Sequence, residues 1–267
     1  MENRVAIEIL GEDGAQYAHV KLIRAEKMNA LDPDMFNGIV SAIEQLKGMK
    51  HIRAVVLSGE GRSFCAGLDM ASMAGGADPS GGKLLTDRTY GNSNIFQYVA
   101  TGWRQLPMPV IAAVHGVCFG GGLQIMSGAD VKFVTPDARL SVMEMKWGLV
   151  PDMGGFHLWR GNVRADILRH LTYSNEEFNG QQAVQYGFAT HVDADPLARA
   201  LELAATIAGK NPDAIRAAKR LFDDFIDGDE DAVLMAESVA QNKVMRKPNQ
   251  IEAVMAGMQK REAKFTD

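Results

Sequence analysis

The chain has 267 residues, of which 46% are hydrophobic and 23% charged, with a formal net charge of -5; this is the make-up of an ordinary soluble globular protein, one large domain or one domain with a small appendage. Acidic and basic residues are interspersed, which argues against a nucleic-acid-binding body, and no apolar run approaches the roughly 20 residues of a membrane span. The two cysteines, Cys65 and Cys118, have neither disulfide-framework nor metal-ligand spacing, and the start Met1-Glu2-Asn3-Arg4-Val5 lacks a secretory layout, so a cytoplasmic setting is expected.

The first half alternates strands and helices. Residues 5–10 and 18–24 read as short strands joined by a Gly11/Gly14 turn. Asp32-Pro33 supplies an N-cap and a first-turn proline, and Met35, Phe36, Ile39, Ile43 and Leu46 follow at helical spacing, predicting a helix over 33–48. Residues 54–57 form a β-branched strand. A Gly-, Ser- and Asp-rich stretch at 73–86 reads as a loop, and a helix is expected from about 87 to 106, stopped by Pro107 and Pro109. Residues 110–114 are the next buried strand, 123–127 a helix, and 131–134 and 139–142 two further strands. From about 195 the texture is helical alone. Asp195-Pro196, Asn211-Pro212, Gly228-Asp229 and Lys247-Pro248 each open a helix. The chain therefore divides into an α/β core, 1–194, and a helical subdomain, 195–267.

Two glycine turns follow buried strands and precede expected helices. One is Arg62-Ser63-Phe64-Cys65-Ala66-Gly67-Leu68-Asp69-Met70. The other is His115-Gly116-Val117-Cys118-Phe119-Gly120-Gly121-Gly122-Leu123. At such junctions a helix offers unpaired N–H groups and the positive end of its dipole. Two donors converging on one carbonyl oxygen make an oxyanion hole. The alternative for Gly120–Gly122 is close strand–helix packing. A phosphate loop fits poorly, because neither Gly-Lys-Ser/Thr nor the Gly-x-Gly-x-x-Gly spacing is present.

Phe64-Cys65-Ala66-Gly67-Leu68-Asp69 resembles a segment of the crotonase, or enoyl-CoA hydratase/isomerase, family. Val110 to Gly122, Asn29-Ala30-Leu31 and Gly180 to Val192 resemble three others, so the likeness covers essentially the whole chain. It implies a crotonase-type spiral of ββα units with a C-terminal helical trimerisation subdomain, hence a homotrimer or homohexamer. It also implies an oxyanion hole from the amides of Leu68 and Gly121. The backbone around Ala66, Gly67, Asp69 and Met70 would cradle the coenzyme-A adenine end. Lys27 and Ala30, with Gly120 and Gln124, would complete the thioester site. Coenzyme A would enter as part of the substrate, with no separate cofactor and no metal.

An enolate site needs groups that move protons beside the thioester. Glu144 and Asp152 lie in an apolar stretch, where an idle charge is costly. Pairing of Glu144 with Lys146 or Arg139 is the structural alternative. In the resemblance, Glu144 falls at the second catalytic glutamate of hydratases. The first glutamate falls at Gln124, which can hydrogen-bond but not carry a proton. Asp152, eight residues past Glu144, is similar to an aspartate of dienoyl-CoA isomerases, although those also have an acid at the Gln124 position. The expectation is therefore double-bond isomerisation of an enoyl- or dienoyl-CoA, with enoyl-CoA hydration as the alternative. Aryl-CoA dehalogenation or hydrolysis through Asp152 and a non-catalytic crotonase-fold binding protein stand further off. His115 is read as a brace for the second turn, and the cysteines as small buried apolar residues. Trp147, Phe156 and Trp159 divide between acyl pocket and core. Arg24 divides between a coenzyme-A contact and a solvated strand end.

Overall fold

The computed structural model describes residues 4–267; residues 1–3, part of the start weighed above, lie outside them. The first half comprises β1 (Val5–Leu10), β2 (Gln16–Leu22), α1 (Pro33–Gly48), β3 (Ile52–Gly59), α2 (Met70–Ala74), α3 (Ile95–Arg104) and β4 (Val110–Val114). Next come β5 (Val117–Phe119), α4 (Gly121–Ser127), β6 (Val131–Val134), β7 (Arg139–Ser141), α5 (Gly155–Trp159), α6 (Ala165–Ser174), α7 (Gly180–Tyr186) and β8 (His191–Val192). The chain ends with α8 (Pro196–Ala208), α9 (Pro212–Asp224), α10 (Glu230–Val244) and α11 (Pro248–Gln259).

The main sheet has the order β1-β2-β3-β4-β6-β8, with β1 antiparallel to β2 and every later pair parallel. A separate parallel pair, β5 and β7, lies beside it. All eight residues of β3 are buried, as expected of a strand covered on both faces. On one face Val20, Leu22, Val55, Leu57 and Val114 share a core with Met35, Phe36, Ile39 and Ile43 of α1. That helix begins as its sequence requires: the Asp32 carboxylate accepts from the Met35 N–H at 2.8 Å. On the opposite face Ala54, Val56, Ile111, Ala113 and Phe133 pack under Ala200 and Ala204. Thus α8, grouped with the helical tail by texture, closes the sheet. Beyond it, α10 packs on α9 and buries none of its own residues.

Several elements differ from expectation in their bounds, and three differences matter most. The helix expected from 87 starts only at Ile95, because Asn94 and Gln97 form a capping box, each side chain taking the other's N–H at 2.9 and 3.2 Å. The triplet Val117–Phe119, which in the sequence is part of the second glycine turn, is a strand. The strand expected over 139–142 is one residue shorter, and Glu144 lies beyond it. β7 stops at Ser141, and Glu144 opens a single 3-10 turn to Trp147, closed by Gly148 at φ +69°.

Candidate active site

The two glycine turns are laced together by backbone hydrogen bonds. Cys65 N donates to Val117 O and Phe119 N to Cys65 O, both at 3.1 Å. On its other side the first turn is held by the 28–31 segment. Ala66 N donates to Met28 O at 2.9 Å, Leu31 N to Gly67 O at 2.8 Å, and Asp69 N to Leu31 O at 3.1 Å. Asn29, fully buried at φ +54°, donates through Nδ2 to the carbonyls of Glu60, Ser63 and Phe64. The His115 brace also spans both turns: its carbonyl accepts from Phe64 N, and its Nε2 sits 2.8 Å from Gly61 O.

This lacing leaves no room for a side chain at Gly67, whose φ is +88°. A Cβ there would lie 2.8 Å from Phe119 O and 3.6 Å from Gly121 N. Among the described residues, neither the Leu68 N–H nor the Gly121 N–H has a hydrogen-bond acceptor. Gly121 is the first residue of α4, where N–H groups have no partner within the helix.

Glu144 stands beside these amides. The position a side chain on Gly120 would take is 3.4 Å from Glu144 Oε1. That oxygen accepts a hydrogen bond from Gln124 Nε2 at 2.6 Å, whereas the other, Oε2, is buried and without a partner. Neither Lys146 nor Arg139 pairs with it, and Arg139 instead makes a bidentate pair with Glu177 at 2.7 and 2.8 Å. Burial pushes the Glu144 carboxyl above the ordinary carboxylate range. The backbone N–H of Glu144, the Gln124 hydrogen bond and the Met143 backbone oppose that push, and the charge of Asp152 adds to it. Asp152 lies at an open part of the wall, yet enough protein surrounds its carboxyl that burial raises it too.

Leu68, Gly121, Glu144 and Asp152 all border one cavity of about 280 Å³, together with Ala66, Gly67, Met70 and Gly120. Phe119, Met143, Trp147, Leu149, Val150 and Met153 give it an apolar lining. Of these only Trp147 had been weighed from sequence, since packing across separate elements leaves no local signal. A larger cleft of about 710 Å³ lies between α3 and α9, but neither acid and neither free amide borders it.

Other expected residues lie outside the cavity. Gln124 is fully buried behind Glu144 and faces protein on every side. Asp69 caps α2 through Ser72 N at 3.1 Å and pairs with Arg24 at 2.8 Å. Burial would raise Asp69, but those two partners outweigh it and hold its carboxyl below the usual range. Arg24 is accordingly no solvated strand end; it is buried between Asp69 and Asp32, with its guanidinium also on Ala30 O. Lys27 is exposed and Ala30 half-buried at the edge of this cluster. Cys65 and Cys118 are fully buried, and burial pushes the Cys65 thiol up to about 12, far from a nucleophile's range. Trp159 is core, donating to Ser127 Oγ at 2.8 Å, while Phe156 is exposed beside it.

Residues 12–267 match the enoyl-CoA hydratase/isomerase family. The chain belongs to that family. It is 31% identical over 253 residues to the mitochondrial Delta(3,5)-Delta(2,4)-dienoyl-CoA isomerase of Mus musculus, spanning 92% of this chain and 77% of that relative. It is 33% identical over 205 residues to "Probable enoyl-CoA hydratase EchA14" of Mycobacterium tuberculosis, spanning 75% of this chain and 77% of the other. The solved structure of an enoyl-CoA hydratase from Bacillus anthracis superposes with a TM-score of 0.87 at 24% identity, over 98% of each chain, which identifies the crotonase fold. The chain is therefore an enzyme of a family whose substrates are acyl-CoA thioesters.

Proposed function

We propose that this enzyme moves double bonds along an enoyl- or dienoyl-CoA. The observation that carries the reading is the setting of Glu144. One oxygen is held by Gln124 and the other is buried without a partner, while the residue borders a cavity shared with two unpartnered amides and a second acid, Asp152. With a 3,5-dienoyl-CoA, Glu144 takes a proton from C2, the carbon next to the thioester. Negative charge moves to the thioester oxygen, where the N–H groups of Leu68 and Gly121 stabilise it. Asp152 returns a proton at C6, giving the 2,4-diene with no net gain or loss of protons. Glu144 is given the C2 position because its carboxylate lies beside Gly120, next to the amide of Gly121. Ala66, Gly67, Asp69 and Met70, with exposed Lys27 nearby, are assigned to the coenzyme-A end.

No cofactor enters this scheme, since coenzyme A arrives with the substrate. The free thiols fit a reducing cytoplasm. The apolar residues on α10 and α11 are assigned to self-association as a trimer or a dimer of trimers. Hydration is the second reading, favoured by the Mycobacterium tuberculosis relative. It needs a water held between two acids, and Gln124 offers no second carboxylate beside Glu144.

The assay presents purified protein with a 3,5-dienoyl-CoA and, separately, a 2-enoyl-CoA. From the first, the longer-wavelength band of a diene conjugated with the thioester carbonyl is expected to rise, because the 3,5-diene lacks that conjugation and the 2,4-diene has it. Rapid loss of the 2-enoyl band with no diene formation would replace isomerisation by hydration.

A further inference from the structure

The Gln124 amide is fixed in orientation by the backbone. Its Oε1 accepts from Met153 N and Gly155 N, both at 2.9 Å, which leaves Nε2 to face Glu144 Oε1 at 2.6 Å. Reversing the amide would set its NH2 against two N–H donors, so the hydrogen-bond network allows one orientation. Gly155 is required for this approach: a Cβ there would stand 2.8 Å from Gln124 Oε1. Met153 directly follows Asp152. A single buried side chain therefore ties the Glu144 carboxylate to the turn that carries the other acid.

Resting on the isomerase reading of the cavity, we infer that Gln124 is a positioning residue, a strut that sets Glu144 against the Asp152 turn and confines proton traffic to Glu144 Oε2. Because Nε2 can only donate, Glu144 Oε1 must remain an acceptor. A proton carried by Glu144 then sits on Oε2, the buried oxygen that has no hydrogen-bond partner. The strut also stabilises the ionised carboxylate that burial disfavours, keeping a base available close to neutral pH.

The other charges near Glu144 are few. Asp152 borders the same cavity, Lys146 lies on its own turn, and Arg139 and Glu177 pair with each other on the rim. α6, packed against the turn, carries Asp166, Arg169 and His170; Asp166 pairs with Arg164 and His170 with Glu176.

Two variants test the strut. Gln124→Glu keeps one oxygen on Met153 N and Gly155 N but sets the other against Glu144 Oε1, so the two carboxylates must share a proton. Gln124→Met keeps the bulk and removes both donor and acceptor. The primary readout is the 13C NMR titration of the glutamate carboxyl carbons, with Glu144 assigned by its loss in Glu144→Gln. In Gln124→Glu its midpoint should rise by about one pH unit or more. In Gln124→Met it should rise less, and kcat for the dienoyl-CoA should fall at least about 10-fold with little change in KM. Should Gln124→Glu fail to fold, Gln124→Met carries the same readouts. A Glu144 midpoint unmoved in every variant that folds would overturn the strut, whatever the turnover. A shifted midpoint in a protein that isomerises no dienoyl-CoA would support the strut and overturn the isomerase reading instead.

Discussion

A carboxylate taken out of water favours its neutral form, and Glu144 and Asp152 are both displaced that way in one cavity. For isomerisation one must accept a proton while the other gives one, so activity should follow a bell-shaped pH profile. Its acid limb, where the base becomes protonated, should lie above the ordinary carboxylate range. Glu144→Gln should lower kcat about 10²- to 10⁴-fold, the usual contribution of a general acid–base group. Its effect on stability has the opposite sign. Because the folded pKa is raised, the stability associated with Glu144 is full below the unfolded value and lost as pH rises through the folded one. Removing the ionisable group should therefore leave the thermal midpoint at pH 8 unchanged or higher, and a marked drop in differential scanning fluorimetry would contradict this. Asp152→Asn separates the two proton steps. Exchange of the C2 hydrogen with D2O, followed by mass spectrometry, should continue while diene formation stops; loss of both together would deny Asp152 a distinct role.

The turns that hold the two amides depend on backbone geometry more than on any side chain. Gly67→Ala must place a methyl group 2.8 Å from Phe119 O at a positive φ, prising the turns apart. Circular dichroism should show a retained fold, while kcat drops about 10²-fold or more, the scale of losing one oxyanion donor. Unchanged kinetics would show that Leu68 N and Gly121 N need not converge. These turns were legible from sequence because glycine clusters after β-branched strands report a backbone constraint directly. The same holds for α1, whose Asp32-Pro33 start and apolar spacing are local signals. Residues 87–93 lie outside α3 because the Asn94–Gln97 capping box starts the helix at Ile95, a pairing of polar side chains that apolar spacing does not report. β5 escaped notice because a strand of three residues shows no periodicity and exists through its pairing with β7. The strut through Gln124 was invisible for a further reason: its partners, Met153 and Gly155, lie 29 and 31 residues away and contribute backbone N–H groups, which no residue type announces.

At the scale of the molecule, the sheet and its two covering layers bury the apolar faces of β2, β3, β4 and α1, whereas the last helices leave most of their large apolar residues in the open. Leu234, Met235 and Val239 of α10 are 52%, 65% and 45% exposed, and Ile251, Val254, Met255 and Met258 of α11 are exposed as well. Scattered single apolar residues on a surface need no explanation, but a concentration of this kind on two consecutive helices is what the self-association proposed above would cover. The hydrophobic effect would favour covering it by roughly 25 cal/mol for each Å² removed from water, enough to hold subunits together if most of the patch is buried. Light scattering after gel filtration should therefore give three or six times the chain mass for the wild type. The triple variant Leu234→Asp, Met235→Asp, Val239→Asp should shift it toward the monomer and lower its thermal midpoint, since charged side chains resist desolvation at a closed interface. α10 buries none of its own residues, so these changes leave the sheet core and the Glu144 cavity intact. A wild type that runs as a monomer would show that the exposed faces of α10 and α11 serve something other than self-association.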